Sequence, residues 1–150
     1  GHTTYLLPSP KDRPTHVSRL LGRPWQAFTW QGQRFLILDD RSHQLGKRQV
    51  AWLEQQVASA RSRGIRRTWV MLHLPPVVPG GGTLDGLDDR REARKVARIL
   101  RQLPGVFMVA SHRHRGGIRR WMGLDVALVG PSDILWGDLA APTRPSLEHR

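Results

Sequence analysis

Three short apolar runs, each closed by polar residues and separated by stretches of helical periodicity, constrain this chain more than any other feature. They are Phe35-Leu36-Ile37-Leu38, closed by Asp39-Asp40; Trp69-Val70-Met71-Leu72, closed by His73; and Val106–Ala110, running into Ser111-His112-Arg113-His114. Unbroken apolar runs of this length fit strands buried on both faces. Between the first two runs, Val50, Leu53, Val57 and Ala60 recur in steps of three and four, which predicts a helix over about Gly46–Ser62, ended by Gly64. Between the second and third, Ala93, Val96, Ala97, Leu100 and Leu103 predict a helix over about Asp89–Leu103, with Asp88 as its cap and Pro104-Gly105 beyond its end. Two hairpins flank this core. One joins Trp25–Trp30 to Arg34–Asp39 through Gln31-Gly32-Gln33, and the other joins Ile118–Met122 to Asp125–Val129 around Gly123. The expected fold class is α/β, a layered sheet with flanking helices.

The rest of the chain reads as less regular. Pro8, Pro10, Pro14 and Pro24 break any long element in residues 1–24, residues 25–141 form the domain, and 142–150 read as a loose polar tail. A Gly-rich loop covers 79–87. The 150 residues suit one domain or part of one. The chain starts with Gly, so a segment removed from upstream is expected. Zero Cys excludes disulfides, thiolate zinc sites and thiol nucleophiles. No apolar run approaches the roughly 20 residues of a membrane span, and no signal peptide opens the chain, so a soluble protein is expected, with the cytoplasm favoured.

The charge balance is strongly basic. Against 12 Asp+Glu stand 24 Lys+Arg, a formal net charge of +12, and all the basic residues but Lys11, Lys47 and Lys95 are arginine. Guanidinium forks suit phosphate and carboxylate, and the net charge steers polyanions inward. The groups Arg61/Arg63/Arg66/Arg67 and Arg113/Arg115/Arg119/Arg120 keep a nucleic-acid partner open, while Arg90/Arg91/Arg94/Arg98/Arg101 read as the solvated face of a helix. The six Trp read as core or partner contacts.

Chemistry concentrates where the strands end. In open α/β sheets, ligands gather at the carboxyl ends of parallel strands. His73, His112 and His114 all arrive at such ends, and the His-x-His spacing puts two imidazoles on one side of an extended backbone. Imidazole suits Mn, Fe, Ni or Zn.

Five pieces in this order resemble the C-terminal half of the calcineurin-like metallophosphoesterases. They are Arg34–Asp39; Gln49-Val50-Ala51-Trp52-Leu53; Val70–Pro76 around His73; Val109–Gly116 around His112 and His114; and Val129-Gly130-Pro131-Ser132. The resemblance spans about residues 25–133. It implies a metal site at the sheet edge, with His73 and His112 on one metal and His114 on the other, and hydrolysis of a phosphomono- or phosphodiester. Arg113 and Arg115, by their position, are candidates for contact with the phosphate. The family's upstream carboxylate motifs have no counterpart here. His2 stands where its Gly-Asn-His motif would end, a catalytic candidate or a residue of other origin, and Ser111 replaces the family's usual Gly.

Without bridging carboxylates, two divalent ions about 4 Å apart repel each other. The expectation is therefore one divalent ion at most, and little activity from this chain without the N-terminal half. A partial sheet would also expose an apolar face, to be covered by that missing half, a second copy or another protein. The alternative reading is a catalytically degenerate, basic interaction or assembly subunit of a larger complex, or a nucleic-acid-binding module.

Overall fold

The computed structural model describes residues 24–75, 87, 89–111 and 117–129, together with the backbone of 133–136 and 146–149. The described elements, in chain order, are β1 (Gln26–Trp30), β2 (Gln33–Ile37), α1 (Gly46–Ser62), β3 (Thr68–Leu72), α2 (Arg90–Leu100), β4 (Val106–Ala110), β5 (Gly117–Trp121), β6 (Leu124–Leu128), β7 (Asp133–Trp136) and β8 (Ser146–His149). The first eight follow the expected succession of strands and helices. Six strands form one sheet in the order β1-β2-β3-β4-β6-β5, and β7 pairs with β8. Strands β2, β3, β4 and β6 are parallel, and β1 and β5 close the two edges antiparallel. This is the layered α/β fold expected.

The crossovers β2-α1-β3 and β3-α2-β4 step across the sheet in one direction, and the shared handedness of such connections puts both helices on one face. Leu36, Leu38, Val70, Leu72, Met108, Ala110 and Val126 point to that side and meet Val50, Leu53, Val57, Val96, Ala97 and Leu100 in one buried cluster. The helix periodicity of 3.6 and the strand periodicity of 2 converge on this layer.

Residues of opposite parity line the second face. Phe28 stacks on Phe35 at 4.8 Å between ring centroids, Phe35 on Trp69 at 6.3 Å, and Phe107 meets Trp69 edge-on at 5.4 Å. The Trp69 indole N–H donates to buried Gln33 Oε1 at 2.6 Å. Phe35, Trp69, Phe107 and Ala127 on this face are all buried.

Boundaries differ from expectation where turn chemistry decides them. The hairpin turns are the two-residue pairs Gln31-Gly32 (φ 46° and 74°) and Met122-Gly123 (φ 45° and 84°). Positive φ at both positions matches the twist of the flanking strands, so Gln33 and Leu124 already belong to the ladder. Helix α2 is capped by Asp89, whose carboxylate accepts from the N–H groups of Arg91 and Glu92; Asp88 lies outside the described residues. Beyond Leu100 the backbone tightens, with Gln102 N–H bonding Ile99 O and Leu103 N–H bonding Leu100 O, so the helix stops short of Leu103. Ser146–His149, inside the stretch expected to be a loose tail, is a strand. Among the described residues, no helix is long and apolar enough to cross a membrane.

Candidate functional site at the carboxyl edge of the sheet

Parallel pairing brings the carboxyl ends of β2, β3, β4 and β6 to one edge, and the ladder continues past them. Leu38 N–H donates to Met71 O (2.9 Å), Ser111 N–H to His73 O (3.1 Å) and Val129 N–H to Ala110 O (2.8 Å). Residues 39–41, 73–75 and 111 are thereby set side by side by register.

His73 is half-buried, and its Nδ1 lies 3.2 Å from Ser111 Oγ. This contact engages the ring, while the backbone bond from Ser111 N–H to His73 O fixes the strand that carries it. An imidazole engaged at Nδ1 presents Nε2 as its ligating nitrogen.

The two carboxylates that close β2 are differently placed. Asp39 is held by Arg41 in a forked ion pair, Nε to Oδ1 at 2.7 Å and Nη2 to Oδ2 at 2.8 Å. Its backbone is clamped by the buried Gln49 side chain: Asp39 N–H donates to Oε1 and Nε2 donates to Asp39 O, both at 2.7 Å. Asp40 is fully buried, and its Oδ2 accepts the N–H of Leu74. Burial pushes the Asp40 carboxyl up from 3.8 to about 6, against the lowering effect of the Leu74, His73 and Asp40 amides and with a smaller raising effect from the Asp39 charge. Asp40 thus ties β2 to the segment that carries His73.

Of the residues singled out in the sequence, His73 is at the expected edge. His2, His112, His114, Arg113 and Arg115 lie outside the described residues. Among the described residues, no group of three His, Cys, Asp or Glu is placed to hold a metal ion. Sequence reasoning missed the Ser111–His73 contact and the burial of Asp40. The first needs the β3–β4 register, which periodicity does not supply. The second had a signal, an acidic pair directly after a fully buried strand.

No family model and no curated protein matches the chain. Among solved structures, one titled "Structure of PhoD" matches with a TM-score of 0.51 and 13% sequence identity, covering 72% of this chain and 28% of that one. The chain therefore spans little more than a quarter of that protein's length. The two share a layered α/β fold.

Proposed function

We propose that this chain supplies the C-terminal part of a metal-dependent phosphoesterase site. The observation that carries the reading is His73, held at the carboxyl edge of the sheet with Nδ1 engaged by Ser111, one residue before His112. The donor chemistry fits a divalent metal, because a ligating imidazole is ordinarily fixed through its other ring nitrogen, and Ser111 does this for His73. In this proposal His73 and His112 would share the one ion held by this chain alone, and His114 would serve a second ion in the completed site. A divalent ion held by these histidines would supply Lewis-acid polarisation of a phosphoester and a more acidic bound water. The chain's own residues would do the rest: Ser111 orients His73, Asp40 anchors the strand end through Leu74, and Arg113 and Arg115 would add positive charge for the phosphate. The shared PhoD fold supports the reading at the level of architecture.

The test uses the full chain. Dialysis against Mn²⁺ or Zn²⁺ followed by elemental analysis is expected to find the ion retained by the native chain and lost from His73→Ala and His112→Ala. Hydrolysis of bis(p-nitrophenyl) phosphate is expected to be negligible for the chain alone and to appear when a segment bearing the family's upstream carboxylate motifs is added. Equal metal retention in all three chains would overturn the reading.

A further inference from the structure

The opposite edge of the sheet is built from arginine. Helices α1 and α2 run back against the parallel strands and end there, so Arg61 and Arg63, at the end of α1, and Arg101, just past α2, come to the amino end of the sheet. They join Arg66, before β3, and Arg120, on β5. Contacts make the set continuous. Arg61 Nη1 donates to Gln102 Oε1 at 3.3 Å, which bridges the helix ends. The Gly105 backbone packs against Arg66 and Arg67 so closely that a β-carbon at residue 105 would meet the Arg66 carbonyl. The Arg101 side chain lies against Gly123, and a cleft of about 310 Å³ opens between Arg101, Gly105, Gly123 and Arg120. At the other end of the row, burial and then the Arg63 charge lower the pKa of Arg34.

Opposing charge is nearly absent among the described residues. Asp125 lines the cleft and pairs with Arg120 at 3.2 Å. Of the other carboxylates whose side chains are described, Asp39, Asp40, Asp89 and Glu92 belong to the far edge and Glu54 to the middle of α1. Both hairpin turns also lie at the arginine edge, and they carry or adjoin the exposed large hydrophobics among the described residues, Trp30 (51% exposed) and Met122 (37%).

We propose that this amino edge binds single-stranded nucleic acid, its arginines on successive phosphates and Trp30 against a base. The shape selects this partner. From β2 to β5 the row crosses four strand spacings, about 19 Å. That is room for several phosphates of a single strand. A line of guanidinium groups fits a linear polyanion, whereas a membrane would call for a charged plane. An exposed indole at the same edge, on the aromatic face of the sheet, offers sequence-tolerant stacking. The site is separate from the carboxyl edge and does not depend on its chemistry.

Fluorescence anisotropy of a labelled dT20 oligonucleotide with the full chain tests the proposal. With about five phosphate contacts, affinity is expected to fall about 100-fold between 50 and 200 mM salt. Arg63→Glu/Arg66→Glu is expected to weaken binding at least tenfold, and Trp30→Ala about tenfold. Arg94→Glu, a charge reversal on the exposed outer side of α2, is expected to change it less than threefold. Arg101→Gln/Arg120→Gln serves as the second variant if the first loses its helical circular dichroism. Equal losses from Arg94→Glu would show net-charge attraction only and overturn the proposal. So would tighter binding to polyglutamate or to phosphatidylserine vesicles than to dT20, or unchanged binding on removal of the Trp30 indole.

Discussion

Asp40 shows how one buried side chain sets a pH dependence for the whole fold. In the unfolded chain its carboxyl titrates near 3.8, and burial raises it to about 6 in the folded one. Between those values the folded state holds the extra proton, so acidification favours folding. This stabilisation is complete below 3.8 and lost as pH rises through 6; the difference corresponds to roughly 3 kcal/mol. Asp40→Asn removes the titration while an amide oxygen remains for the Leu74 N–H. In urea unfolding, the stability of the native chain relative to this variant is expected to rise as pH falls from 7 towards 4 and to stay level above 7. Parallel profiles would refute the assignment. Ser111 acts on the same strand end through orientation. Ser111→Ala deletes the hydroxyl beside His73 Nδ1 and is expected to weaken Zn²⁺ binding about tenfold, read by calorimetric titration, with little change in unfolding midpoint. Of this site the sequence disclosed the histidine and its place after an apolar strand. The hydroxyl partner was hidden, because residues 73 and 111 are neighbours only once β3 and β4 pair in register.

At the scale of elements, α1 lacks a side-chain cap of its own: Leu45 occupies the cap position and contributes none. The cap arrives from α2. Glu92 accepts the Leu45 N–H at 2.6 Å and the Gly46 N–H at 2.9 Å, placing a carboxylate on the positive end of the neighbouring helix. Glu92 sits in the first turn of α2 as well, so one side chain serves two helix starts and fixes their spacing. Glu92→Ala is expected to destabilise the fold by about 1–3 kcal/mol, because two amides lose a charged acceptor. Lys95→Ala, which breaks only the exposed pair with Glu54 at 3.0 Å, is expected to cost less than about 1 kcal/mol in the same urea titration. The helices and strands themselves were legible, because apolar spacing reports which side of an element is buried. Val50, Leu53, Val57 and Ala60 are all buried, as their spacing implied. The Glu92 cap was not legible, since it joins residues 46 and 47 positions apart and follows from helix packing alone. Gln49 occupies similar ground. Its spacing to Trp52-Leu53 marked a motif, yet its work as a clamp on the Asp39 backbone emerges only in three dimensions.

At the scale of the molecule, the parallel sheet separates two kinds of chemistry by its own length. Strand carboxyl ends gather His73, Ser111 and the acidic pair; strand amino ends gather the arginines. The carboxylates at the first edge bear directly on how many ions it can take. A two-ion site needs an acidic group free to bridge, to offset the repulsion of ions about 4 Å apart. Both Asp39 oxygens are taken by Arg41, and Asp40 is buried against Leu74. The proposed site therefore draws on neither of these two described carboxylates as a bridge and assigns its ion to imidazole nitrogen. Equilibrium dialysis against Zn²⁺ with elemental analysis is accordingly expected to find no more than one tightly held ion per chain, with His73→Ala releasing it and Asp39→Asn retaining it. Adding the upstream carboxylate segment is expected to raise the count to two. Two tight ions on this chain alone, or loss of the ion from Asp39→Asn, would mean that the Arg41 fork opens to free a bridging carboxylate.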